Sequence, residues 1–202
     1  DKTEKLIFNE YCVNNLSVYL TPKYKLVGEK PVAIVAKGCD VASIIGLIQE
    51  NQIKRNDVFV IGVQCTGVKN DTNDKYANKC STCEVNTPLD FDTLIGEKKE
   101  NKTITSEEKN KRLEELENMT HSERWDFWQK EFERCVKCYA CRQACPMCYC
   151  ERCIVDKSQP YWVDTSAHPN GNFNWHFLRA FHLAGRCIGC DQCERACHQN
   201  IP

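Results

Sequence analysis

Apolar and polar positions predict a βαβ unit in the first third of the chain. The continuous apolar run Pro31–Ala36 has the length and composition of a buried strand. Asp40 can cap a helix, and apolar residues follow it at helical spacing: Val41, Ile44, Ile45 and Ile48. A second apolar run, Val58–Ile61, follows a polar turn. We therefore expect two parallel strands joined by a right-handed helical crossover.

The second half is patterned for helices that follow a charged segment. Residues 97–120 are strongly charged, from Glu97 to Glu117, and predict a linker. Thr120 and Glu123 form the capping-box pattern of a helix start. The aromatic residues beyond this box are spaced to share one helix face: Trp125, Trp128 and Phe132. A later helix is expected from Phe173 to Ala184, with Asn172 as its cap.

Cysteine changes this picture, because 16 of the 202 residues are cysteines. They fall in metal-ligand spacings and not in scattered pairs, which argues against a disulfide framework. The spacing C-x2-C-x2-C-x3-C occurs twice, in residues 135–145 and 187–197. Such a run holds an iron–sulfur cluster through thiolates, and in two-cluster proteins the fourth cysteine ligates the other cluster.

The two runs therefore predict two [4Fe–4S] clusters that exchange their fourth ligands. The first cluster is expected on Cys135, Cys138, Cys141 and Cys197. The second cluster is expected on Cys187, Cys190, Cys193 and Cys145. Basic residues near the runs can offset the negative charge of thiolate-bound clusters: Arg134, Lys137, Arg142, Arg186 and Arg195.

Four further cysteines are expected to converge at one edge of the predicted sheet. Cys39 lies just past the end of the first strand, and Cys65 lies just past the end of the second. Parallel neighbouring strands place their carboxyl ends at the same edge, where α/β sheets bind ligands. Together with Cys80 and Cys83, these residues predict a four-thiolate metal site.

Cys148, Cys150 and Cys153 leave two interpretations open. They either hold a zinc ion with one further ligand or ligate another cluster. A zinc ion shared by two C-x2-C pairs, Cys80 with Cys83 and Cys150 with Cys153, is the alternative to a separate site in the predicted βαβ unit. Two histidines on the predicted C-terminal helix lack ligand-like partner spacing and are expected to be satisfied structural residues: His176 and His182.

Composition and charge narrow the function classes. A formal net charge of −1 favours neither nucleic acid nor an anionic membrane surface as a partner. No apolar run approaches the roughly 20 residues of a membrane span. The sequence holds no dinucleotide-type phosphate loop, nucleophile elbow or zincin helix, so a non-catalytic role is favoured. Cluster assembly requires reduced thiolates, so we expect the protein to be located in an oxygen-poor cytoplasm. Both termini suggest that the sequence is a piece of a longer polypeptide.

These motifs resemble those of known families. Residues 135–145 and 187–197 resemble dicluster bacterial ferredoxins, with His198 where that family usually has Pro. Residues 31–96 resemble the beta subunit of deazaflavin-reducing hydrogenases and dehydrogenases in four motifs: Ala36-Lys-Gly-Cys39-Asp40, Ile61-Gly-Val-Gln-Cys65, Cys80-Ser-Thr-Cys83 and Phe91-Asp-Thr-Leu-Ile-Gly96. This resemblance implies a third [4Fe–4S] cluster beside an FAD that exchanges electrons with a deazaflavin. Its implied ligands are Cys39, Cys65, Cys80 and Cys83.

The whole arrangement is similar to ferredoxin-like subunits associated with hydrogenases, formate dehydrogenases and heterodisulfide-reductase-type complexes of anaerobes. We expect an α+β protein with a small βαβ-containing unit at residues 1–100 and a charged linker at 101–122. A ferredoxin-like dicluster domain at 123–202 is expected to carry a helical insertion at 146–186. Aromatic residues in the insertion are candidates for partner contact: Trp162, Phe173 and Trp175.

Three hypotheses follow for the function. The leading one is an iron–sulfur electron-transfer subunit of a larger oxidoreductase, which relays electrons between partners. The alternative is a flavin-bearing catalytic subunit that reduces a deazaflavin or a similar carrier. The third is a zinc-stabilised scaffold without a redox role.

Overall fold

A small parallel sheet organises the N-terminal half of the protein. The computed structural model describes residues 7–28, 30–69, 74–98, 100–105, 113–164 and 166–202. Strands β1 (Val32–Ala36), β2 (Val58–Val63) and β3 (Thr93–Ile95) pair in parallel in the order β1-β2-β3. The predicted parallel βαβ pairing is confirmed. Strand β3 was not predicted, because it has only three residues and lacks a continuous apolar run.

Helix α1 (Gly38–Gln49) connects β1 to β2, and it begins earlier than the sequence suggested. The prediction that Asp40 is the N-cap is wrong, because Lys37 occupies that position. Asp40 lies in the first turn, where its carboxylate accepts a hydrogen bond from the Lys37 backbone N–H at 2.9 Å. The same carboxylate forms a buried ion pair with Lys37 Nζ at 2.9 Å. An acidic side chain in the first turn satisfies a free backbone donor and complements the helix dipole.

Short elements connect the sheet to the C-terminal helices. Helix α2 (Asn78–Ser81) follows β2, and residues 113–117 are helical. The remaining α-helices are α3 (His121–Glu133), α4 (Ala140–Ala144), α5 (Pro169–Leu183) and α6 (Gln192–Arg195). Single 3₁₀ turns cover Leu16–Leu20, Pro22–Tyr24, Arg55–Asp57 and Ile154–Asp156. Residues 106–112 of the predicted linker lie outside the described residues.

The two long C-terminal helices pack against each other through aromatic rings. The capping box of α3 is confirmed, because Thr120 and Glu123 bond each other's backbone N–H groups. Helix α5 starts four residues before the predicted Phe173, since His168 is its N-cap. Asn172 therefore lies inside the helix, where its side-chain amide donates to the carbonyl oxygens of Phe132 and Cys135 at 3.0 and 2.9 Å. These bonds join α5 to the end of α3.

Residues from both halves of the chain share one apolar core. Side chains of β1, α1 and β2 contribute most of it, with Val41, Ile44 and Leu47 almost fully buried. Met147 and Leu183 from the C-terminal half belong to the same cluster. Met147 lies so close to α1 that a Cβ added to Gly46 would be 3.2 Å from its Cε. Residues next to the two ferredoxin-like motifs are thus packed onto the sheet-containing half.

The secondary structure confirms the predicted α+β class, because helices accompany a small sheet. The dicluster ferredoxin fold of the second half remains a prediction. Among the residues that the structure describes, no helix combines the length and apolar character needed to cross a membrane.

Candidate metal centres

Four cysteines of the N-terminal half line one cavity at the carboxyl edge of the sheet. Cys39 stands in the first turn of α1, Cys65 follows β2, and Cys80 and Cys83 lie on and just after α2. All four border a cavity of about 220 Å³. Cys190 of the second ferredoxin-like motif borders the same cavity. The structure thus places Cys39 and Cys65 at one cavity, as their positions after neighbouring parallel strands predicted.

Burial opposes ionisation of thiols in this cavity, and a nearby basic side chain favours it. Burial raises the pKa of Cys39 and of Cys65 above the ordinary thiol value. Free thiols at these positions are costly to ionise, whereas a metal deprotonates a coordinating thiol outright. Cys80 Sγ accepts a hydrogen bond from the Val68 N–H at 3.4 Å. Three basic side chains also line the cavity: Lys37, Lys79 and Arg195.

The first ferredoxin-like motif forms a second cavity with the end of the chain. Cys135, Cys138 and Cys141 border a cavity of about 60 Å³ together with Cys197 from the other motif. Cys193 borders it as well. The structure therefore brings Cys197 to the first motif, which is the arrangement expected for an exchanged fourth ligand.

Backbone N–H groups face sulfur atoms in the same way in both motifs. Lys137 N–H donates to Cys135 Sγ at 3.4 Å, and Gly189 N–H donates to Cys187 Sγ at 3.4 Å. Lys137 and Gly189 both adopt a left-handed conformation, with φ of +55° and +65°. Hydrogen bonds of this kind stabilise thiolate charge.

The second motif is only partly gathered around its expected site. Burial raises the pKa of Cys190 to about 11, and the nearby thiols of Cys145 and Cys193 act in the same direction. Cys145 and Cys148 are also neighbours, and the hydrogen bond between their thiols lowers the pKa of Cys148 and raises that of Cys145. Cys187 is exposed at the surface. The fold thus places three of the four predicted ligands near one another.

The three remaining clustered cysteines line a separate cavity. Cys148, Cys150 and Cys153 border a space of about 110 Å³ between α5 and the segment after the first motif. Cys80 and Cys83 border the N-terminal cavity instead. The zinc site that would combine these two C-x2-C pairs is therefore not assembled in the described structure.

The donors of these cavities are thiols, and thiolates are the usual ligands of iron–sulfur clusters. Within the described ranges, no three or more His, Cys, Asp or Glu side chains are grouped so that they could hold a metal ion. Thiols spaced around a cavity suit a group larger than one ion, and iron–sulfur clusters are held by four thiolates. The residues present at the first two cavities fit such a group.

Arg179 of α5 is a functional candidate that sequence reasoning missed. Its guanidinium Nη2 donates to the Cys141 carbonyl oxygen at 3.3 Å. It borders both the first-motif cavity and the cavity of Cys148. Its Nε is shielded from solvent and has no hydrogen-bond partner within the described part of the chain. Arg179 lies 38 residues after Cys141 and outside both motifs, so the cysteine spacing does not mark it.

The predicted cations are partly engaged elsewhere. Arg134 pairs with Glu131, and Arg186 Nε lies 3.3 Å from a Glu50 carboxylate oxygen. His176 also departs from its prediction as a satisfied structural residue. Its ring stacks on Phe132 with centroids 4.4 Å apart, but its buried Nε2 has no hydrogen-bond partner among the residues that the structure describes. His176 borders the first-motif cavity, next to Arg179.

The comparisons with known proteins agree with the resemblance drawn from the motifs. No protein-family profile matches the chain. A segment of 75 residues, 37% of the chain, is 39% identical to the F420-dependent formate dehydrogenase subunit beta of Methanocaldococcus jannaschii. A segment of 57 residues, 28% of the chain, is 33% identical to the F420-dependent formate dehydrogenase 1 subunit beta of Methanococcus maripaludis.

These alignments span only 19% and 14% of the two curated relatives. The chain is therefore a partial homologue of F420-dependent formate dehydrogenase beta subunits.

Proposed function

We propose that this chain is an iron–sulfur electron-transfer unit of an anaerobic oxidoreductase related to formate dehydrogenases. The observation that carries the proposal is the position of Cys197, which borders one cavity with Cys135, Cys138 and Cys141. Two motifs that are far apart in sequence supply thiols to one site. Exchange of ligands between motifs is the property that distinguishes two-cluster electron carriers from isolated metal-binding loops.

The proposal assigns three [4Fe–4S] clusters to cysteines of this chain. The first is held by Cys135, Cys138, Cys141 and Cys197. The second is held by Cys187, Cys190, Cys193 and Cys145. The third is held by Cys39, Cys65, Cys80 and Cys83. When bound, each cluster supplies one-electron transfer at a potential that charge, hydrogen bonds to sulfur and solvent exposure adjust.

Cysteines of the second motif border the cavities of both other proposed sites, which supports an arrangement of neighbouring clusters. Cys190, a proposed ligand of the second cluster, borders the cavity of the N-terminal site. Cys193, another ligand of the second cluster, borders the cavity of the first motif. The second motif therefore lies between the other two sites. This order suits a relay that accepts electrons at one end of the molecule and releases them at the other.

The proposed partners are other subunits of a formate dehydrogenase, hydrogenase or heterodisulfide-reductase-type complex. The relatives are named as subunits of formate dehydrogenases, and relay function requires a donor and an acceptor. Of the aromatic residues suggested for partner contact, Trp162 is 68% exposed and stays a candidate. Trp175 is buried against the cysteine cavities, so it covers these sites. Phe177 and Phe181 on the outer face of α5 are better candidates, at 60% and 70% exposure.

Anaerobic purification with iron, sulfide and flavin analysis tests this function. We expect broad brown absorbance, acid-labile sulfide and at least about twelve irons per chain, four for each of three clusters. Resolved yellow flavin bands with turnover of a deazaflavin by the isolated chain would favour the flavin-bearing catalytic alternative. A colourless protein that binds only zinc would refute the relay and support the scaffold hypothesis.

A further inference from the structure

The cavity lined by Cys148, Cys150 and Cys153 is distinct from the three proposed cluster sites. It lies between α5 and the segment that follows the first motif, and it measures about 110 Å³. Lys23, in the 3₁₀ turn Pro22–Tyr24, reaches it from the N-terminal half. The residues that line this cavity therefore come from segments that are distant in sequence. Three of them are the cysteines Cys148, Cys150 and Cys153.

The cavity is rich in cations that the protein neutralises only in part. Arg142 donates to both carboxylate oxygens of Asp156 at 2.9 Å. Arg186 is paired with Glu50. In contrast, Lys23 Nζ is shielded from solvent and has no hydrogen-bond partner in the described structure. Arg179 Nε is in the same condition. A buried ammonium without a partner is costly, and so is a buried guanidinium with one unsatisfied N–H, so the cavity favours a negatively charged group.

The thiols are close enough to these cations to supply that charge. Burial lowers the pKa of Lys23, and the thiols of Cys148, Cys145 and Cys150 oppose this shift. Arg142 also donates a hydrogen bond to the Cys153 sulfur, beside its pair with Asp156. Each cysteine of the group thus has a basic side chain nearby.

We infer that Cys148, Cys150 and Cys153 hold a fourth [4Fe–4S] cluster through three thiolates, which leaves one iron without a cysteine ligand, beside the positive charges of Lys23, Arg142 and Arg179. A single zinc ion is the alternative occupant, and it would need His182, which borders the cavity, to complete its four ligands. This inference rests on the proposed function, since it adds a centre to the same relay. Cys148 lies beside Cys145, a proposed ligand of the second cluster, so the additional centre adjoins that cluster.

The iron content of the full chain, purified anaerobically, is the first test. We expect about sixteen irons per chain, four for each of four clusters. A value of about twelve would overturn this inference and leave the proposed function intact. A chain without iron would overturn both.

Cys153→Ser supplies the second test. We expect this variant to lose about four irons with the matching sulfide, while the control Cys12→Ser keeps the full content, because Cys12 borders none of the cysteine cavities. Loss of zinc in place of iron, or unchanged iron, would refute the cluster. His182→Ala separates the alternatives further, since His182 borders the cavity and could complete a Cys₃His zinc site. We expect its iron content to stay unchanged, and a zinc-dependent loss would contradict the inference.

Lys23→Met tests the positive charge near the additional centre, and it serves as an independent test if Cys153→Ser fails to fold. Removal of the positive charge should lower the midpoint potential of the additional centre while the iron content is retained, because the more negative reduced state loses a neighbouring cation. The exposed Lys25→Met is the matched control and should leave every potential unchanged. Identical redox titrations of Lys23→Met and wild type, followed by electron paramagnetic resonance, would overturn the assignment.

Discussion

Arg179 Nη2 donates a hydrogen bond to the carbonyl oxygen of Cys141 at 3.3 Å, which joins the inserted helix α5 to the first ferredoxin-like motif. The same guanidinium lies near the thiols of Cys141, Cys193, Cys148 and Cys145, whose charge raises the pKa of Arg179 against the opposing effect of burial. One positive charge is thus shared among residues proposed to ligate different clusters.

Arg179→Gln should lower the midpoint potentials of the first and second clusters. Loss of a nearby, poorly solvated positive charge destabilises the more negative reduced state, and Coulomb's law places the effect at tens of millivolts. Redox titration followed by electron paramagnetic resonance measures it. Arg152→Gln is the control, because Arg152 is exposed and should change these potentials little. If both variants titrate like wild type, Arg179 has only a structural role.

If the two motifs exchange their fourth ligands, substitution of Cys145 or Cys197 should affect the cluster of the other motif. Cys145→Ser should perturb the cluster held by Cys187, Cys190 and Cys193, although Cys145 belongs to the first motif. Cys197→Ser should perturb the cluster held by Cys135, Cys138 and Cys141. Cluster-specific signals in electron paramagnetic resonance distinguish the outcomes. If each variant instead affects the cluster of its own motif, the dicluster arrangement is wrong.

Met147→Ala should destabilise the protein strongly. Met147 is only 3% exposed and fills the shared core against α1, so its removal should lower the free energy of unfolding by about 2–5 kcal/mol. Anaerobic denaturant unfolding, followed by circular dichroism, measures this change. Met119→Ala is a matched control, because Met119 is half-buried and outside that core, and its effect should be clearly smaller. Equal effects would show that the shared core contributes little.

Asp40→Asn tests the buried start of α1. The substitution removes the carboxylate charge that pairs with the buried Lys37 ammonium and leaves it only its hydrogen bond to the Asn14 carbonyl oxygen, which should cost about 3–5 kcal/mol of unfolding free energy. Lys54 and Asp57 form the same capping geometry nearer the surface, with Lys54 N–H 2.8 Å from a carboxylate oxygen of Asp57. Asp57→Asn should cost about 1 kcal/mol. Anaerobic denaturant titrations compare the two, and similar losses would contradict a special role for burial.

The sequence by itself determined the features that depend on neighbours in the chain. Continuous apolar runs at Pro31–Ala36 and Val58–Ile61 marked two strands, because a buried parallel strand needs apolar residues on both faces. Thr120 and Glu123 marked the start of α3, since a capping box is satisfied within one turn. The positions of Cys39 and Cys65 relative to those strands also indicated that they would meet, because parallel strands share their carboxyl edge.

Only the tertiary structure decided which distant side chains meet around the cysteines. Arg179 reaches Cys141 because α5 folds back over the first motif, and Lys23 reaches Cys148 because the N-terminal 3₁₀ turn packs against that motif. Met147 belongs to the core only because the segment after the first motif packs against α1. These contacts join residues that no short spacing relates, and they form because burial of apolar surface, which has no direction of its own, selects the packing of whole elements.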